Sequence, residues 1–299
     1  MKNWNSTHIP DQKGRVIIIT GATSGLGKEA ARVLASKNAQ VILAVRNIAK
    51  GEQSITEIKR EFPNASLDVI QLELDNLKSI HDFATKVKSS YNRLDVLINN
   101  AGVMLSPYST TIDGFENQMG VNHLGHFALS GLLLPLLMET PGSRIVVTSS
   151  MAHKSGKINL DDINWTNRKY RSMQAYADSK LANLYFAYEL GRKLQNVNNA
   201  PMVVAAHPGH ATTELQRHSL FWRFMNHLSG QKVEKGILPT LRAGFDETAK
   251  VGDYYGPSGF MEVKGEPVLV KSNALSHDQT IAKKLWEISE ELTKVKFAI

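Results

Sequence analysis

Arg15-Val16-Ile17-Ile18-Ile19-Thr20-Gly21-Ala22-Thr23-Ser24-Gly25-Leu26-Gly27 decides the fold. Positions 16–19 are all apolar and β-branched, the pattern of a short strand buried on both faces. Glycines follow at 21, 25 and 27, and residues 28–37 carry a helical pattern. Glycine is needed where backbone turns sharply and approaches a pyrophosphate, and the following helix offers free N–H groups and a positive dipole end. A Gly-rich loop set between a clear strand and a clear helix therefore reads as a dinucleotide cradle.

The alternation continues outward. Strands are expected at 40–45, 67–72, 94–99, 144–148 and 202–206, with a further one near 267–270. Helices are expected at 49–61, 77–90, 114–138, 175–194, 233–248 and 278–293. Strand and helix in turn mean βαβ units, hence one Rossmann-type doubly wound parallel sheet of about seven strands with helices on both faces. No linker or repeat divides the chain, so residues 1–299 read as a single domain. Tyr254 to Gly259 reads as a turn-rich loop, and Leu285 and Trp286 as core anchors of the last helix.

Composition narrows the class. Of 299 residues, 42% are hydrophobic and 21% charged, enough for a full core in a globular chain. Cysteine is absent, which excludes disulfides, thiolate metal sites and a Cys nucleophile. The net charge of +7 suits an anionic ligand. No dense basic tract occurs, so no nucleic-acid partner is expected. The polar first residues lack an apolar signal core, and no uninterrupted apolar window spans a bilayer, so a cytoplasmic location is expected.

Tyr176 and Lys180 stand four apart on a helical run and so share one face. A cation within about 4–6 Å favours phenolate, making this pair a proton donor and acceptor. Arg46 follows the second strand where an adenosine ribose would lie, and nothing acidic stands at positions 41–49. An Arg there pairs with a 2′-phosphate, which favours NADP(H) over NAD(H). His123, His126, His153, His207 and His210 repeat no metal-ligand spacing, and no metal is expected.

With these motifs in order, the chain resembles the short-chain dehydrogenase/reductase family, in its retinol-dehydrogenase-like branch. The resemblance rests on Thr20 to Gly27, Asn99-Asn100-Ala101-Gly102, Asn122-His123-Leu124-Gly125-His126-Phe127, Ser149-Ser150, Tyr176 with Lys180, and His207-Pro208-Gly209 with Thr213. It implies a catalytic set of Asn122, Ser150, Tyr176 and Lys180. Tyr176 would be the acid/base, Lys180 would lower its pKa and bind the nicotinamide ribose, Ser150 would hold the substrate oxygen, and Asn122 would hold a water of a proton relay. The cofactor would lie along Gly21, Thr23, Ser24, Gly25, Leu26, Gly27, Arg46, Glu73, Leu74, Asn99, Ala101, Gly102, Pro208, Gly209 and Thr213. Glu73 stands where the family usually has Asp. The long Ser150–Tyr176 segment should reshape the substrate entrance.

The expected activity is NADP(H)-dependent hydride transfer between nicotinamide and the carbonyl or alcohol carbon of a fairly apolar small molecule. The alternative is an NADP(H)-binding redox sensor or scaffold without turnover. Residues 210–232, with the apolar and basic run at 217–228, read as a substrate lid, a packed helix at a subunit interface, or a peripheral membrane contact. A homodimer or homotetramer is open, since the Tyr176 helix has apolar residues to spare.

Overall fold

Val16–Thr20 forms β1, buried at every position. In this computed structural model, residues 3–210 and 231–299 are described. Strand β1 pairs in parallel with β2 (Gln40–Val45) on one side and β4 (Val96–Asn99) on the other. Strand β3 (Ser66–Gln71) lies outside β2. Beyond β4 come β5 (Arg144–Thr148), β6 (Met202–Ala206), β7 (Tyr254–Pro257) and β8 (Pro267–Leu269), in the order β3-β2-β1-β4-β5-β6-β7-β8. All neighbours are parallel except β7 and β8. The chain runs outward from β1 to β3 and then returns to β4, so strand order reverses beside β1. Such a switch point opens a ligand crevice at the carboxyl ends of the strands.

The helices are α1 (Gly25–Ala35), α2 (Ile48–Glu61), α3 (Leu77–Ser90), α4 (Asn117–Met138), α5 (Ser172–Lys193), α6 (Val233–Gly236), α7 (Leu238–Phe245) and α8 (Gln279–Thr293). Side chains alternate across the pleat, so β1 feeds both cores. Ile18 joins Phe83, Phe127, Leu184 and Trp286 on one face, while Ile17 and Ile19 join Leu34, Leu43 and Leu241 on the other. Short polar side chains start three of the helices: Asn47 accepts from the Lys50 N–H at 2.9 Å, Asn76 from Ser79 at 3.3 Å, and Asp278 from Thr280 at 2.9 Å.

Helix α4 is apolar on all sides because it is covered on all sides. By length and composition it could cross a membrane, but 78% of its apolar window is buried inside the protein. Helix α8 and the residues after it supply the cover. Phe297 and Trp286 pack on Phe127 with ring centroids 4.9 and 5.0 Å away, and a side chain on Gly131 would meet Phe297 at 2.8 Å. The apolar face of α5 that left an oligomer open is covered as well, since its residues 175–191 are all buried.

The architecture matches the expectation from sequence, with three differences. Eight strands form, not seven, because Tyr254–Pro257 is β7 and no loop: the tyrosines favour a pleated, half-buried setting over the Gly-Pro turn signal. Gly256 is there for tertiary reasons, since a Cβ would lie 2.1 Å from His207 Nε2. The helix expected at 233–248 breaks into α6 and α7 and ends at Phe245, with Pro239 in the first turn of α7 where a missing N–H costs nothing. The helix expected from 114 starts at Asn117, after Gly114 turns with φ +87°, and carries a π turn at Gly120–Leu124. The segment expected as a lid falls mostly on residues 211–230, which lie outside the described residues.

Phe297→Ala should lower unfolding stability by about 3 kcal/mol, the low end for a buried Phe truncation. Urea denaturation measures it, and a loss near zero would contradict the tail's place in the core.

Candidate active site

The cradle is built where backbones touch. Gly21 has φ +70°, and a Cβ there would press on Ala101 at 3.0 Å. A Cβ on Gly27 would sit 2.4 Å from the Gly21 carbonyl. The α1 N-terminus thus packs directly on the loop after β1 and leaves bare main chain facing the crevice. Ser24 occupies the N-cap in extended conformation, and its side chain makes no capping bond among the described residues. The first N–H groups of α1 are therefore available to an anion. Thr23 is held through its carbonyl by Ser54 Oγ at 3.3 Å, and Leu26 is buried beneath the loop.

Thr20 closes the other wall. Its hydroxyl oxygen accepts the N–H groups of Asn100 and Ala101, both at 2.9 Å, and its carbonyl accepts from Asn100 Nδ2 at 2.9 Å. Asn99 turns its side chain inward, donating to Ser130 Oγ at 2.9 Å. What it presents to the crevice is therefore backbone, with Gly102 next along the strand end. A Cβ on Gly102 would meet Asn122 Oδ1 at 2.9 Å and Lys180 Nζ at 3.5 Å. Cofactor loop and reactive side chains are in contact here.

Ser150 lies two residues past β5 and caps a 3-10 turn, Met151–Ser155, its hydroxyl accepting the Ala152 N–H at 3.2 Å. Its hydroxyl lies near enough to the Tyr176 phenol to favour the ionised form of that group. Tyr176 is pushed up from its ordinary value of 10 by burial, and the Ser150 hydroxyl partly offsets this. The Lys180 Nζ lies 5.8 Å from the Tyr176 ring centroid. Burial pulls Lys180 itself down from 10.5 to about 8. Among the described residues its Nζ has one hydrogen bond, to the Thr148 carbonyl at 3.3 Å, for three N–H donors. An under-satisfied buried ammonium beside a bare glycine fits a site for a hydroxyl-rich ligand.

Asn122 sits in the π turn of α4. Its Oδ1 accepts from Val103 N at 2.8 Å, and its Nδ2 donates to the Val103 carbonyl at 3.0 Å and to Ser179 Oγ at 2.9 Å. The side chain is thus committed to holding the loop after Gly102 against α5. Ser149, next to Ser150, is structural: its hydroxyl donates to the Lys180 carbonyl at 2.8 Å.

The remaining expected residues lie around this centre. Arg46 is exposed just past β2 and makes no ion pair among the described residues. Glu73 is half-buried after β3, accepting from Gln71 Nε2 at 2.8 Å, and Leu74 is buried in the core beside Gly125. Pro208 accepts from Gln231 Nε2 at 2.8 Å, and Gly209 turns with φ +65°, its N–H on His207 Nδ1 at 3.2 Å. Thr213 lies outside the described residues. No group of three or more His, Cys, Asp or Glu among the described residues could hold a metal. His207 instead pairs with Glu262 at 2.9 Å, and His123 with Ser289 at 3.0 Å. Reading the sequence missed Thr20 as the clasp between loops and Ser179 as the partner of Asn122, because each is an ordinary residue until the fold brings its partner near.

A cradle of bare main chain at a sheet switch point, joined to a Ser–Tyr–Lys cluster, defines a dinucleotide-binding oxidoreductase. A family profile described as short chain dehydrogenase matches residues 15–222. Human retinol dehydrogenase 13 is 48% identical over 93% of this chain and 84% of its own length. Mouse retinol dehydrogenase 12 is 39% identical over 95% and 88%. Among solved structures, an uncharacterised protein from Mycobacterium paratuberculosis superposes with TM-score 0.85 and 38% identity over the whole of both chains. A short chain dehydrogenase from Shigella flexneri, solved with NADP, has TM-score 0.67 and 25% identity over 82% of this chain and 97% of its own. The chain belongs to the short-chain dehydrogenase family, on the retinol-dehydrogenase-like side of it.

His123, His126 and His153 are pushed down from 6.5 to about 3, 4 and 4, in each case chiefly by burial. The unfolded chain takes up their protons first, so stability should fall as pH drops from about 6.5 toward 4. Glu116 and Asp178, raised by burial, act in the opposite sense at the acid end. Urea midpoints at about pH 7.5, 6 and 5 should decline in that order; a rise toward acid would contradict neutral buried imidazoles.

Proposed function

We propose that the chain is an NADP(H)-dependent alcohol dehydrogenase or carbonyl reductase acting on a fairly apolar alcohol or carbonyl compound. The observation that carries this reading is the buried Tyr176 phenol with the Ser150 hydroxyl near it and the Lys180 Nζ 5.8 Å from its ring centroid. The relatives named retinol dehydrogenases support an apolar alcohol as the substrate class.

When bound, the nicotinamide supplies or accepts the hydride. The rest falls to the chain's own groups. The Ser150 hydroxyl donates to the substrate oxygen, a kind of contact worth about 2.7–4 kcal/mol where charge develops on that oxygen. Tyr176 gives its phenolic proton to the same oxygen in reduction and takes it back in oxidation. Burial alone makes Tyr176 a reluctant phenolate, so the nearby Lys180 ammonium and Ser150 must carry the charge during transfer. Lys180, with spare donors, also holds the nicotinamide ribose. The free N–H groups after Gly25 take the pyrophosphate, and Arg46 the 2′-phosphate.

Oxidation of NADPH and NADH against aldehydes and ketones graded in size and polarity tests the reading. NADPH-selective turnover is expected, rising with apolar size. Tyr176→Phe should lose at least about a hundredfold in kcat, the low end for general acid catalysis, with cofactor affinity nearly unchanged. Tight cofactor binding without turnover across the panel would favour a sensor.

Arg46→Ala should weaken NADPH binding about tenfold, the worth of one charge-assisted contact, and leave NADH binding alone. Equal losses for both cofactors would remove Arg46 from the 2′-phosphate.

A further inference from the structure

Two buried histidines stand behind two of the reactive residues in the same way. His126 Nδ1 lies 3.0 Å from the Asn122 carbonyl, and His153 Nδ1 lies 2.6 Å from the Ser150 carbonyl. A carbonyl only accepts, so in each ring the proton sits on Nδ1 and that N–H donates. The far nitrogens agree. His153 Nε2 accepts the Asn273 N–H at 3.3 Å. His126 Nε2 lies 2.9 Å from Thr20 Oγ1, whose two lone pairs already take the Asn100 and Ala101 N–H groups, so the Thr20 hydroxyl donates to the ring. Both rings are almost wholly buried, so neither is free to rotate toward other partners.

We propose that His126 and His153 are positioning residues, neutral imidazoles with the proton fixed on Nδ1, which hold the main-chain carbonyls of Asn122 and Ser150. Asn122 has spent its side chain on Val103 and Ser179, so its carbonyl is the group left to be aimed, and His126 aims it. Through Thr20, the same ring ties that turn to the cofactor loops. His153 fixes the turn from which the Ser150 hydroxyl reaches Tyr176, and Asn273 fixes His153 in turn by donating from Nδ2 to its carbonyl at 3.3 Å. Burial, with the Lys180 ammonium nearby for His126, keeps both rings uncharged. A charged ring would put a proton on Nε2, where Thr20 and Asn273 already donate.

The proposal rests on the functional reading above, and the test separates the two. Asn places an amide N–H where Nδ1–H stands, whereas Gln places its amide at Nε2 and leaves the carbonyl unheld. At each position the Asn variant should keep kcat within about threefold, while the Gln variant loses about tenfold, a loss expected from misplacing reacting groups by less than about 1 Å. At position 126 the NADPH dissociation constant, read by nicotinamide fluorescence, should move the other way: His126→Gln near wild type, His126→Asn weaker. Losses that simply follow the fall in thermal midpoint, with no split between Asn and Gln, would overturn the proposal. Nitrogen NMR of histidine-labelled wild-type protein at neutral pH adds a readout free of turnover. Protonated Nδ1 in both rings supports the assignment, and protonated Nε2 in either overturns it. Wild-type protein that binds NADPH but turns over nothing defeats the functional reading, and the nitrogen spectrum then decides the tautomers by itself.

Discussion

A single hydroxyl at the end of the first strand receives more of this structure than any side chain at the reacting centre. Thr20 Oγ1 takes two backbone N–H groups from the loop after β4 and gives its own proton to a histidine on α4. Two segments that approach from different layers are thereby fixed to the β1 terminus. Parallel strands cannot make such a joint among themselves, because their carboxyl ends diverge at a switch point and leave main-chain donors facing a crevice. Satisfying some of those donors with Thr20, and leaving those of α1 open, divides the crevice into a wall and a binding surface.

The reacting side of that crevice is costly to fold. Lys180 is buried with one hydrogen bond for three donors, and burial pulls its pKa to about 8. Tyr176 is raised by burial with Ser150 as its partial offset. Both shifts disfavour the charged forms that proton transfer requires, and hydroxyl or anionic groups near Lys180 would relieve its shift.

Much of this was legible from sequence, and the limits have physical causes. The strands β1, β2, β5 and β6 read correctly because parallel strands under two helix layers must be continuously apolar, and few other settings demand that. The glycines, Tyr176 and Lys180 could be singled out in the sequence because residues at those spacings answer to local chemistry. Partners did not read. That Asn99 turns toward Ser130, that Gly256 is a glycine because of the His207 ring, and that His126 reaches Thr20 are consequences of elements far apart in the chain. Spacing four apart put Tyr176 and Lys180 on one face but carried no dielectric. Burial then governed the phenol's shift. The π turn around Asn122 has no mark in sequence at all, since it depends on how α4 is pressed against α5.

That pressure comes from the far end of the chain. Helix α5 is buried from 175 to 191, so the helix bearing Tyr176 and Lys180 cannot shift without repacking its neighbours. On the side away from the sheet the neighbour is α8: Leu285 and Ala282 pack with Leu181 and Tyr185, and the Lys193 ammonium lies 5.0 Å from the Trp286 ring centroid. The same helix reaches α4 through Ser289 and His123, one residue past Asn122. Tail residues that touch no part of the crevice therefore clamp both helices that supply it. Preorganised acid–base groups need rigid supports, and a helix packed on one face only is a poor one. By wrapping its last helix over α4 and α5, the chain covers those apolar faces from within.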